Sequence, residues 1–333
     1  MTDSTGMLQF CDRAKPLIQS GYTADDNARA LIVAMGMKEK EREKLVKTYI
    51  NFLKDAQGPE GIWHNLKVNG QYYSYMNSED SIGRGLLAAS FAAGCGISEA
   101  EDIAWHMIKK ALPKALNLSS PRAMSYVLLG LVKMVESYET TRLIPHAKQL
   151  ASRIIKLYDI SHGWGWHWFE DKLTYCNALL PHALFGYYTL SGDIRSLKVA
   201  QDTLDFLTDS LFKKGYLNIV GNQGWWKKQS QIPPYDQQPV DAGSIVLACL
   251  QAFIATDEHE YITKAQMAYD WYWGKNINHV PLYNAKTQGC HDAIVPDGVN
   301  LNQGAEAVIS FLMSHQILGD VKGKKYGYLV PAV

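Results

Sequence analysis

Two short stretches set paired carboxylates at the start of a helical pattern, with an arginine one turn further on. In "YTADDNAR" (22–29) Asp25 and Asp26 are followed by Arg29; in "NSEDSIGR" (77–84) Glu79 and Asp80 are followed by Arg84. A single acid there is explained by helix capping and an i,i+4 ion pair, together worth a few tenths of a kcal/mol to about one. Two adjacent acids, twice over, exceed that need. Cleavage of a glycosidic bond requires two carboxyls on opposite sides of the bond, one of them protonated as general acid. Asp25 and Asp80, each with an arginine at i+4, are the expected charged partners. Asp26, Glu79 and Asp241 are the expected proton donors, so the catalytic set is Asp26, Glu79, Asp80 and Asp241.

Aromatic residues concentrate in the connections between helical segments. Trp63, Trp164, Trp166, Trp168, Trp225 and Trp226 all lie there, interleaved with Asn, Gln, Asp and His. Any one indole could plug the fold, but six together suit the flat apolar walls of a ligand cleft. Sugars stack their C–H faces on such walls while their hydroxyls take polar partners. In "GWGWHWFED" the alternation would turn Trp164, Trp166 and Trp168 one way if the segment is extended. Expected polar ligands are Tyr22, Asp25, Arg29, Arg84, Glu170, Asp171, Gln238, Asp297, Asn300 and Gln303, with Asp236, Asp292 and Glu306 nearby in sequence.

His64, His162, His167, His279 and His291 sit in or beside the long connections, and His182 lies on a helical segment. None has metal-ligand spacing with another His or Cys, so hydrogen bonding to sugar hydroxyls is the expected role and no metal or other cofactor is implied. Two histidines acting as acid and base on a reducing-end sugar would instead make an epimerase or isomerase. No phosphate loop, nucleophile elbow or dinucleotide fingerprint is present.

The elements that must position these residues are helical. Apolar residues recur at three and four positions in about twelve segments: 5–19, 25–36, 39–56, 80–94, 98–115, 121–136, 141–158, 173–190, 193–212, 241–255, 258–275 and 302–316. Connections from even to odd segments are short, while four of those from odd to even are long and rich in Trp, Tyr, Gly and Asn. An up-down array therefore brings the long loops to one face. Even segments such as "GLLAASFAAG" are rich in small residues and suit inner helices; odd ones carry the Lys and Glu of an outer ring. The expected fold is a single (α/α)6 barrel over residues 1–333, with an open α-solenoid as the rival.

The 33 basic and 33 acidic residues cancel, which leaves no global field for nucleic acid or anionic membrane. No run reads as the roughly 18 apolar residues of a membrane span, and the N-terminus lacks a signal-peptide pattern, so a cytoplasmic protein is expected. The five scattered cysteines indicate neither a disulfide framework nor a zinc site.

Five stretches, "GYTADDNARAL" (21–31), "NSEDSIGRGL" (77–86), "GWGWHWFEDKLTYCNALLPHAL" (163–184), "QQPVDAGS" (237–244) and "PDGVNLNQGAEA" (296–307), resemble the six-hairpin glycosidase superfamily. More narrowly they resemble a bacterial glycosidase-like module that occurs alone or joined to a glycosyltransferase. The resemblance implies an (α/α)6 barrel acting on or binding carbohydrate, hydrolysis with inversion if it hydrolyses, and functional association with glycosyltransferases or other glycan enzymes. It supplies no catalytic pair. The expected activity is hydrolysis of a short oligosaccharide; the alternatives are a non-catalytic carbohydrate-binding module or glycosyltransferase accessory, and a sugar epimerase or isomerase.

Overall fold

The computed structural model describes residues 1–138 and 140–322. It contains eleven α-helices among the described residues, joined by loops that hold only short strand pairs. The chain forms two compact units, the first over residues 1–150 and the second from Ala151 onward.

In the first unit α1 (Ala24–Met35) and α2 (Glu39–Ala56) form one hairpin, and α3 (Glu79–Ala92) and α4 (Ser98–Ala115) the next, followed by α5 (Pro121–Tyr138). Helix α1 packs on α3 and α3 on α5, each with its hairpin partner on its other side. The two kinds of helix differ as their sequences require. In α2 only a stripe is enclosed, with Val46, Ile50, Leu53 and Ala56 in the core, as a one-sided amphipathic helix demands. In α1 every residue from Asp26 to Met35 is buried. Small residues let the inner helices approach: a Cβ on Gly83 would stand 2.9 Å from the Ala123 carbonyl oxygen.

The second unit repeats the plan. α6 (Ile144–Ser161) leads into α7 (Leu179–Ser191) and α8 (Ile194–Leu211), then α9 (Pro239–Thr256) and α10 (His259–Asp270), and finally α11 (Ala305–Lys322). α7 packs on α9 and α9 on α11. Helix α9 departs from the sequence reading, since its 18 residues reach a mean hydropathy of 1.5, enough to cross a membrane by length and composition. Most of that surface is enclosed by the protein itself, with Val246, Cys249 and Leu250 fully buried, which makes it a core helix.

One predicted helix is absent. Residues 5–19 form a tight strand pair, Cys11–Asp12 with Lys15–Pro16, and a 3-10 turn over Ile18–Ser20. Pro16 cannot donate into a helix, and Arg13 adopts a left-handed φ of 52° at the turn. Met7, Leu8 and Cys11 supplied the helical spacing and are buried, but from a loop. Helix α7 also begins six residues later than expected, because Lys172–Leu173 pair with Trp226–Lys227 and Cys176 turns the chain at a φ of 45°. Pro181 then falls in the first turn of α7, where a missing N–H is tolerated.

Trp63 locks the first two hairpins. It is fully buried, its indole N–H donates to the Leu53 carbonyl of α2 at 3.0 Å, and its ring lies on Gly85 of α3. A Cβ at Gly85 would stand 2.8 Å from the ring carbons. Gly85→Ala therefore forces the indole or α3 to move, and urea unfolding should show a loss of about 1–3 kcal/mol despite the better helix propensity of alanine.

Candidate functional site

In the first unit the starts of α1, α3 and α5 lie side by side, tied by side chains. Thr23 caps α1, accepting from the Asp26 N–H at 3.1 Å and donating its hydroxyl to Asp26 Oδ2 at 2.6 Å. Arg29 Nη2 meets Asp26 Oδ1 at 2.7 Å. Arg29 at i+4 from Asp25 takes its ion pair with Asp26 instead, and both oxygens of Asp26 are engaged, one by Thr23 and one by Arg29. Glu79 is likewise committed to a helix start. It accepts from the Ser119 N–H at 2.6 Å, the Ser119 hydroxyl at 3.0 Å and the Ser120 N–H, so it caps the entry to α5 rather than standing free as an acid.

Asp25 is the carboxylate these contacts leave distinctive. Its Oδ2 faces Arg84 Nη1 across the α1–α3 gap at 3.1 Å and accepts from Asn65 Nδ2 at 3.1 Å, while its N–H donates to Asn65 Oδ1 at 3.0 Å. Its Oδ1 is enclosed yet has no hydrogen-bond partner, although the side chain as a whole keeps 17 % of its exposure. Arg84 is held from the far side: its guanidinium lies 5.1 Å from the Tyr126 ring centroid of α5 and 4.0 Å from Asp80 Oδ2. The Ser120 hydroxyl donates to Asp80 Oδ1 at 3.1 Å. Asp80 thus fixes Arg84, and Arg84 fixes Asp25.

Tyr22 and Trp63, both expected to touch ligand, do other work. The Tyr22 hydroxyl donates to Asp3 Oδ2 at 2.6 Å, and Trp63 is the α2–α3 plug. Asn65 and Ser120 escaped the sequence reading. Each is a polar residue in a connection with no motif around it, and its partner lies 40 residues away in the chain.

In the second unit the expected row of three indoles is broken by a turn. Gly163 and Trp166 exchange both backbone hydrogen bonds, at 2.8 and 2.9 Å, and Gly165 takes a φ of 69° that favours glycine. Trp164 at the tip is 101 % exposed, whereas Trp166 and Trp168 are buried. Trp166 donates to the Glu170 carbonyl at 2.8 Å and meets the edge of Trp226 at 5.2 Å; Trp168 packs against Phe169 at 5.3 Å. These two indoles are packed into the protein and brace the loop. Trp226 is half-buried, stacked on Phe206 at 5.7 Å, and Trp225 sits 6.3 Å from Tyr175. Asp171 is exposed, and Glu170 is half-buried.

Around the starts of α7, α9 and α11 the polar groups are more enclosed. His182, in the second turn of α7, is buried with no partner for Nε2, and burial pushes its pKa down to about 4. Asp241 is buried in the first turn of α9, where its N–H donates to the Gln238 carbonyl at 3.1 Å. Gln303 is buried before α11 and accepts from the Thr287 hydroxyl at 2.8 Å. Burial raises the Asp292 pKa despite a 2.6 Å bond from the Gly304 N–H, and the charge of Glu306 adds to the rise. His291 Nδ1 lies 3.1 Å from the Leu301 carbonyl, an acceptor only, so Nδ1 donates there. Asp297 and Asn300 are exposed on the Ala293–Val295 and Gly298–Asn300 hairpin. Among the described residues no three His, Cys, Asp or Glu side chains converge as metal ligands.

No protein-family model matches the chain, and no curated protein sequence matches it. Solved structures do. A D-mannose isomerase superposes with a TM-score of 0.74 at 16% identity, over 97% of this chain and 93% of its own. The cellobiose 2-epimerase from Spirochaeta thermophila gives 0.73 at 13% identity, covering 96% and 90%. A GH76 α-mannanase from Bacteroides thetaiotaomicron gives 0.63 at 13% identity, covering 91% and 87%. Nearly the whole chain follows these barrels, which sets the open solenoid aside. The chain therefore shares the (α/α)6-barrel fold of these structures.

Proposed function

We propose that the chain is a carbohydrate-active enzyme that hydrolyses a glycosidic bond in a short oligosaccharide, with Asp25 as the carboxylate that activates water. The observation that carries this reading is the Asp25 side chain itself. One oxygen is oriented by Arg84 and Asn65; the other is enclosed and lacks any protein donor. A buried acceptor without a donor is costly, by about 1–3 kcal/mol, and such groups recur where a ligand supplies the missing bond. A water or sugar hydroxyl at Oδ1 completes it. In an inverting reaction that water passes a proton to the carboxylate as its oxygen attacks the anomeric carbon, while a separate acid protonates the departing oxygen. Asp80, Arg84 and Asn65 are positioning residues in this scheme.

A second reading, isomerisation or epimerisation of a reducing-end sugar, is favoured by a different observation. The buried His182 Nε2 has no hydrogen-bond partner, His291 lies in the same unit, and the isomerase and epimerase structures superpose better than the mannanase. Product analysis separates the two. Incubation with linkage-defined oligosaccharides should release new reducing ends, and Asp25→Asn should lower kcat by about 10²–10⁴ with little change in KM. A C2 epimer or ketose of unchanged chain length, formed equally well by Asp25→Asn, would favour the second reading.

The burial of His182 also sets a pH dependence. Its folded pKa of about 4 lies below the ordinary 6.5, so the unfolded chain binds the extra proton first. Stability is complete above pH 6.5, falls as pH drops, and reaches its full loss below about 4, on the order of 3 kcal/mol. Urea denaturation at pH 7.5 and 4.5 should show this slope, and His182→Gln should flatten it.

A further inference from the structure

A cleft of about 410 Å³ lies in the first unit, walled by the N-terminal segment and the Leu66–Val68 and Gln71–Tyr73 strand pair. That volume falls in the range of about 300–1,000 Å³ typical of small-molecule sites. Its lining is unusual for a surface feature. Of the eleven large hydrophobic side chains exposed among the described residues, Phe10, Tyr73, Tyr75 and Met76 converge here, with Tyr75 75 % and Phe10 52 % exposed. Scattered exposed apolar groups are ordinary; a convergent set marks a binding surface. The Tyr73 and Tyr75 rings are 5.9 Å apart, and the Gln9 and Gln19 side chains also line the cleft.

The chemistry of that lining selects a neutral ligand. No charged side chain lines the cleft, so neither an anion nor a cation finds a counter-charge there. Aromatic faces suit the C–H faces of a pyranose, and glutamine amides can both donate to and accept from its hydroxyls. Position gives the second argument. Asn65, which holds Asp25 Oδ2, also donates its side-chain amide to the Met76 carbonyl at 3.2 Å and its backbone N–H to Asn77 Oδ1 at 2.8 Å. A single asparagine therefore fixes both the carboxylate and the wall of the cleft.

We infer that this cleft is a subsite for a neutral pyranose in an oligosaccharide whose reacting end lies at Asp25. The inference rests on the reading of Asp25 given above and adds that the substrate extends over Tyr75 beyond the reacting sugar. Binding energy gathered there acts on chain length, not on the chemical step.

The test is calorimetric titration of borohydride-reduced α-manno- and cello-oligosaccharides of increasing length into Asp25→Asn protein, which should bind without consuming them. Affinity should rise with length, and adding Tyr75→Ala or Gln19→Ala should lower it about tenfold for the longer alditols while leaving the shortest unchanged, since one well-packed contact is worth more than about 1 kcal/mol. Tyr75 is exposed, so circular dichroism should show an unaltered fold. Equal affinity with and without Tyr75 at every length overturns the subsite and leaves Asp25 standing. Wild-type turnover by Asp25→Asn overturns the Asp25 reading, and the placement of the cleft with it. If Tyr75→Ala or Phe10→Ala instead dissolves an oligomer seen by sedimentation, without altering alditol affinity, the cleft is a self-association face and the inference falls.

Discussion

The first turn of a helix leaves N–H groups without intrahelical acceptors and carries about half a positive elementary charge. In the first unit three such turns, those of α1, α3 and α5, stand side by side, so their unsatisfied donors and their positive ends accumulate in one place. That constraint explains the acids. Thr23 and Asp26 close α1, Ser78 and Ser81 form a reciprocal cap on α3, and Glu79 with Ser120 closes α5. Once every helix start has its acceptor, Asp25 and Asp80 remain, bracketing Arg84. The group available for chemistry is what the capping requirement leaves over.

Aromatic residues follow a similar logic. Most of the indoles that looked like a cleft wall hold connections in place, because a long loop has little other means of burying apolar surface. Trp63 fixes the loop between α2 and α3 onto Gly85, and Trp166 and Trp168 hold the 163–172 loop against Phe206 and Phe169. Exposed aromatic surface of the first unit lies instead at Phe10, Tyr73 and Tyr75, which belong to no tryptophan pattern. Asn65 sits two residues after Trp63, so the indole that pins the chain to α2 also anchors the segment from which Asn65 reaches Asp25.

Helical periodicity and the division into small-residue inner helices and charged outer ones were legible because both are local. Ser90 and Ala89 in α3, or Val46, Ile50 and Leu53 in α2, report their surroundings through spacing alone. The 5–19 segment was misread for the same reason, since Met7, Leu8 and Cys11 have helical spacing while Pro16 and the turn at Arg13 decide the backbone. Acid pairing was visible at 25–26 and 79–80, but partner choice was not. Arg84 meets Asp25, 59 residues earlier, at 3.1 Å, closer than the 4.0 Å to Asp80 on its own helix. Asn65, a single asparagine in a loop, carries no pattern, and its importance arises only from tertiary placement.

The account turns on whether the enclosed, unpartnered Oδ1 of Asp25 receives a ligand hydroxyl. A crystal structure of the wild-type protein soaked with a reduced oligosaccharide tests this directly. The account predicts a sugar hydroxyl or a sugar-bridging water within hydrogen-bond distance of Asp25 Oδ1, with the Arg84 and Asn65 contacts to Oδ2 intact. A sugar bound elsewhere on the chain, with Oδ1 still lacking a partner, would contradict it.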